Sequence, residues 1–160
     1  AFGLARQLGI ENSAAKKLMG DYFQRFGKVR DYLRSVVEEA RENGFTETLF
    51  GRRRPFPDLA SPNRVLRDNA ERAALNAPIQ GTAADIMKIA MIGIEQDLLG
   101  LGLRSRLLLQ VHDELVLEIM DSERVQVEKI VVERMMGAAT LSVPLDVQLG
   151  YGANWNDAAH

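Results

Sequence analysis

The sequence has 160 residues, of which 46% are hydrophobic and 26% charged, with a formal net charge of −2; this is the composition of an ordinary soluble globular protein, one domain or part of a larger one. No apolar run approaches the roughly 20 residues of a membrane-spanning helix, and the opening AFGLARQLGI lacks the long apolar core of a signal peptide, so a cytoplasmic protein with no membrane partner is expected. Without cysteine there are no disulfides or thiolate metal sites, and any metal must be held by oxygen or imidazole ligands.

From Ser13 to Asn43, Leu18, Tyr22, Phe26, Val29, Leu33, Val36 and Ala40 recur every three or four residues, which predicts a helix with one apolar stripe. Gly27 is expected to break or bend it and Gly44 to end it. Thr46 to Phe56 changes period and reads as a small hairpin whose turn is Gly51-Arg52 and whose tip is basic. Val65 to Asn76 is rich in helix formers. Pro78 is expected to stop that helix near Ala77, because proline lacks the amide donor and clashes with the preceding turn. Thr82 to Asp85 resembles a capping box, with Asp in place of the usual Glu or Gln, and Ile86 to Leu99 is apolar on nearly every face, which predicts a buried central helix. Arg106 to Val111 and Leu115 to Ile119 favour strands and enclose His112-Asp113-Glu114, an acidic hairpin turn. A helix from Ser122 to Met136 follows. Leu145, Val147 and Leu149 then alternate with Asp146, Gln148 and Gly150, the pattern of a half-buried strand. Together these elements indicate an α+β chain with an antiparallel layer.

Three groups of residues could carry chemistry. Asp113 and Glu114 sit beside His112 between apolar strands; two carboxylates held against an apolar sheet pay desolvation and mutual repulsion, which an oxygen-ligated divalent cation such as Mg²⁺ relieves. The residues alone favour a solvated turn in which Asp and Glu are merely turn-compatible. Arg72, Asn76 and Gln80 follow one another at intervals of four, and all three can donate hydrogen bonds. Donors in a row suit the acceptors that every base pair offers in the minor groove, or simply face water. Arg52, Arg53 and Arg54, with Arg64, Arg67 and Arg72 close behind, form either a phosphate-contacting stripe on a near-neutral body or a solvated surface. Trp155 is expected to be a packing anchor, and His160 is terminal and uninformative.

Four stretches, TLFGRRRPFPDL, ERAALNAPIQGTAADIMKIAM, LLLQVHDELVLE and VPLDVQLGYGANW, resemble DNA polymerases of family A in order and separation, and the resemblance covers essentially the whole chain. It implies a partial right-hand fold, with residues 1–44 as outer fingers helices and 45–160 as an antiparallel-sheet palm. By the same resemblance Asp113 would be a catalytic metal ligand with Glu114 in support, and His112 would lie against the primer terminus. Arg72, Asn76 and Gln80 would meet the minor-groove side of the primer-template. The partners implied are primer-template DNA, deoxynucleoside triphosphates and an upstream part of the same polymerase, and the cofactor is Mg²⁺, two ions in the complete enzyme. The family's other metal-binding aspartate and its nucleotide-binding helix would precede Ala1, so a fragment or processed product, inactive alone, is expected. The compartment implied is the cytoplasm, at the nucleoid. A non-catalytic nucleic-acid-binding module and the palm of a single-subunit RNA polymerase are the alternatives; the His-Asp-Glu triplet and QGTAADI favour the DNA enzyme.

Overall fold

The computed structural model describes residues 1–158, so His160 lies outside the described residues. Packing divides the chain into two units, Ala1–Ile79 and the residues from Gln80 onward.

The first unit opens with α1 (Phe2–Leu8), an element that the sequence reading did not anticipate; Gly9, left-handed at φ 65°, ends it. The expected stripe is split between α2 (Asn12–Arg25) and α3 (Gly27–Asn43), with the break at Phe26 (φ −115°, ψ 54°), one residue before Gly27. Gly44 closes α3 at φ 80°, a conformation costly to any residue with a Cβ. β1 (Phe45–Glu47) and β2 (Arg53–Pro55) pair antiparallel, with Thr46 opposite Arg54. Their turn lies slightly earlier than expected: the Thr48 carbonyl accepts the Gly51 amide at 3.0 Å, and Thr48 Oγ1 accepts the Phe50 and Arg52 amides at 3.2 Å each. Ala40, Phe56, Leu59, Ala70, Ala74 and Ala77 form this unit's core.

The element after the loop is α4 (Arg64–Gly100), 37 residues long, which runs through Pro78. Asn63 caps it, its Oδ1 accepting the Val65 amide at 2.9 Å. The expected stop near Ala77 and the separate start at Thr82 are therefore corrected. Proline inside a helix costs about 3 kcal/mol, but α4 buries Ala70, Ala74 and Ala77 before Pro78 and Met87, Ala90, Ile94 and Leu98 after it, so packing on both sides outweighs one lost hydrogen bond.

In the second unit, Ile94 and Leu98 of α4 pack with Val127, Ile130 and Val131 of α5 (Arg124–Met136). The hairpin of β3 (Arg106–Val111) and β4 (Glu114–Glu118) lays Leu115 and Leu117 against that cluster. Arg134 grips Asp97 through two contacts of 2.6 Å, which ties α5 to α4. The approach requires Gly93, where an added Cβ would stand 2.9 Å from the Arg134 Cδ.

Three expectations fail in this unit. α4 is not buried all round, since Ile89 and Ile92 are exposed. Residues 145–149 form no strand. Leu145 and Val147 are still half-buried between exposed neighbours, so the alternation is real, but a strand also needs a ladder partner, and among the described residues this segment has none. Trp155 opens the short helix α6 (Trp155–Ala158) and remains 46% exposed rather than anchoring a core. That helix folds back instead on Gly150 and Gly152, where any Cβ would overlap the backbone of Ala158 and Asp157.

Candidate active site

Val111 pairs with Glu114, so the β3–β4 connection is a two-residue turn, His112-Asp113, and Glu114 already belongs to β4. This corrects the three-residue turn expected from the sequence. His112 takes φ 54°, the one non-glycine residue with positive φ among the described residues, in a place where tight hairpins usually use glycine. The Gln110 side-chain amide donates to the His112 carbonyl at 2.8 Å and holds that conformation. Gln110 was missed by the sequence reading, although an amide side chain two residues before a tight turn is the available signal. Asp113 is thereby set at the tip with Glu114 beside it.

The electrostatic setting differs from the expectation. His112, Asp113 and Glu114 are all exposed, so neither carboxylate is pressed against an apolar surface within this chain. Desolvation therefore does not distinguish this turn from an ordinary one, and the case for a metal rests on donor chemistry. Two adjacent carboxylates fit the one or two that a Mg²⁺ site takes from protein, with water and phosphate oxygens completing the shell. Among the described residues no cluster of three or more acidic or histidine side chains is gathered to hold an ion.

The base of the hairpin is locked by a latch that the sequence did not reveal. Glu123 accepts the Arg104 amide at 3.0 Å, the Ser105 amide at 2.8 Å and the Ser105 hydroxyl at 2.6 Å, and Ser105 Oγ accepts the Met120 amide at 3.0 Å. The Arg104 amide first, then the Ser105 hydroxyl, holds the Glu123 carboxyl below the usual range. Beyond the latch, Arg106 and Glu118 pair across the strands at 2.6 Å. A bulge at Leu107/Leu109 shifts the register between this pair and the turn.

Of the donor row, Arg72 and Asn76 lie in the first unit and Gln80 opens the second, four residues further along α4. All three are exposed, and Arg72 leans back to donate to Asn69 at 2.6 Å. The arginine triplet is not the hairpin tip: the tip is Thr48–Gly51, Arg52 follows it, and Arg53 and Arg54 belong to β2. Arg53 pairs with Glu47 at 2.7 Å and lies over Phe45, whereas Arg54 lies over Phe56 and has no ion-pair partner among the described residues.

Residues 1–157 match the model of DNA polymerase family A. The chain is 57% identical to DNA polymerase I of Mycobacterium tuberculosis over 160 residues, all of this chain and 18% of that protein. It is 49% identical to DNA polymerase I of Streptococcus pneumoniae over 157 residues, 98% of this chain and 18% of that protein. A solved structure of the POL domain of Pol1 from M. smegmatis, in complex with DNA primer-template and dNTP, superposes with a TM-score of 0.94 at 57% identity, covering 99% of this chain and 28% of that one. The chain thus spans less than a fifth of the length of these curated relatives.

Proposed function

This chain belongs to DNA polymerase family A, and on that premise we propose that it supplies the C-terminal part of the active site of a DNA-directed DNA polymerase acting in the cytoplasm, at the nucleoid. Residues 1–44 serve as outer fingers helices and 45–160 as palm. The reaction is attack of a primer 3′-hydroxyl on the α-phosphorus of a deoxynucleoside triphosphate. Membership of a DNA polymerase family removes the RNA polymerase alternative.

The observation that carries the reading is the two-residue turn that presents Asp113 and Glu114 together at the end of a latched hairpin. Asp113 is assigned as a metal ligand and Glu114 as its support. Mg²⁺ bound there, as one of two ions in the complete enzyme, would lower the pKa of the attacking hydroxyl and stabilise the pyrophosphate that leaves. His112 borders the primer terminus. Arg72, Asn76 and Gln80 donate to minor-groove acceptors, which every base pair shares, and so monitor pairing without reading sequence. Arg52, Arg53 and Arg54 contact backbone phosphates; Arg54 is best placed to do so, because its charge is not already neutralised by a carboxylate. The upstream part of the polymerase supplies the second metal-binding aspartate and the triphosphate site.

The test is Asp113→Ala in the parent polymerase. Incorporation should be abolished while primer-template affinity stays nearly unchanged, because a metal ligand and not a phosphate contact is removed. Glu114→Ala should be milder. Turnover of the Asp113 variant within about tenfold of wild type, about 1.4 kcal/mol, would reject the assignment.

A further inference from the structure

The interior of α4 carries one proline, Pro78, and Gly81 follows it within a turn. These are the two residue types least favourable inside a helix. Pro78 has no amide to donate to the Ala74 carbonyl four residues back, and Ala74 is fully buried, so bulk water does not replace the missing donor. This weak point coincides with a change of anchorage. Before it, Ala70, Ala74 and Ala77 are held in the core of the first unit with Ala40, Phe56 and Leu59. After it, Ile94 and Leu98 are held in the cluster that supports Leu115 and Leu117 of β4, the strand that begins at Glu114. The division between the units falls between Ile79 and Gln80, immediately beyond the proline. It also falls inside the donor row, since Arg72 and Asn76 precede Pro78 and Gln80 follows it.

We propose that Pro78 is a positioning residue: it makes the donor row a jointed one, so that a mispaired primer terminus is felt at Asp113. The inference rests on the polymerase reading above. A mispair displaces the minor-groove acceptors that the row meets. In an unbroken helix Asn76 and Gln80 keep a fixed separation of about 6 Å along the axis, at about 1.5 Å per residue, and a displaced acceptor is simply lost. At a joint that lacks one hydrogen bond, Gln80 follows its acceptor while Arg72 and Asn76 stay with the first core. The second half of α4 moves with Gln80. Packed side chains pass such shifts on, so the β3–β4 hairpin and its two carboxylates leave the reactive geometry. A correct pair keeps the row in line and the hairpin undisturbed.

The experiment compares the parent polymerase with its Pro78→Ala and Pro78→Gly variants, measuring kcat and KM for extension of matched and mismatched primer termini. Both substitutions restore the amide, but alanine stiffens the helix whereas glycine keeps it soft. Pro78→Ala should lower the matched-to-mismatched ratio of kcat/KM by about fivefold or more, the lower end of typical coupling between sites. The change should lie in faster mismatch extension through kcat, with matched extension within about twofold of wild type. Pro78→Gly should keep most of the wild-type ratio, and amide exchange over residues 79–83 should be slower in the alanine variant than in the glycine variant. An unchanged ratio in Pro78→Ala, an equal fall in both variants, or exchange no slower with alanine would each overturn the proposal. Gln80→Ala in the same assay separates the joint from the reading beneath it. If that variant keeps the wild-type ratio, the donor row does not sense pairing and the joint falls with it; if it lowers the ratio and Pro78→Ala does not, the joint alone fails. Failure of wild type to extend even the matched primer would instead sink the polymerase reading itself.

Discussion

Ile94 stands at the centre of the second unit, fully buried between α4 and α5 in the cluster that also supports Leu115 and Leu117 of β4. Ile94→Ala removes three carbon groups from that core. At about 0.8 kcal/mol each, the lost transfer energy is about 2.4 kcal/mol, and the cavity left behind raises the expected cost to about 3–4 kcal/mol. Ile94→Val, which removes one group, should cost about 1 kcal/mol. Ile92→Ala, two residues away on the same helix but 59% exposed, should change stability by less than about 0.5 kcal/mol and serves as the control. The assay is urea denaturation of the 160-residue chain followed by fluorescence of Trp155, its single tryptophan, which lies in the same unit. If Ile94→Ala cost no more than Ile92→Ala, the cluster would not be this unit's core, and the packing account of how the hairpin is supported would fall with it.

Other outcomes follow from the turn, the latch and the extent of the chain. His112 at φ 54° is tolerable for histidine but poor for a β-branched residue, so His112→Val should destabilise by about 1–2 kcal/mol while His112→Gly does not; the reverse order in thermal melts would refute the strain argument. Glu123 has a folded-state pKa below its ordinary value of 4.5, so its contribution is complete above that value and is lost as pH falls through the folded one. Glu123→Gln should therefore flatten the corresponding part of the acid limb of the stability profile, and an unchanged limb would show that the latch contributes nothing. On the proposed reading, which assigns the triphosphate site to the upstream part of the polymerase, the 160-residue chain alone should not extend a primer at any Mg²⁺ concentration; templated extension by it, beside a longer form as control, would show that the essential residues are misplaced.

What the sequence determined by itself was local. Spacing of apolar residues located the stripe of α2 and α3, glycine ended α3, and β-favouring runs around an acidic turn located the β3–β4 hairpin, because periodicity and turn chemistry act over a few residues. The family was legible in motifs, and the candidate site was proposed from the same ones, because QVHDE and QGTAADI are short and contiguous. Tertiary structure decided the rest. Pro78 reads as a stop, yet the burial of small residues along α4 on both sides of it outweighs one missing hydrogen bond, and no local rule contains that sum. The run from Leu145 to Leu149 has the alternation of a strand but not the neighbour, and pairing is a property of two segments rather than one. The latch of Glu123 on Arg104 and Ser105 and the bonding of Arg53 to Glu47 join residues whose relation only folding creates. Gln110 and His112 are the exception in distance, two residues apart, but their bond exists only because the chain reverses between Val111 and Glu114, which fixes a left-handed backbone at a residue whose identity does not demand one.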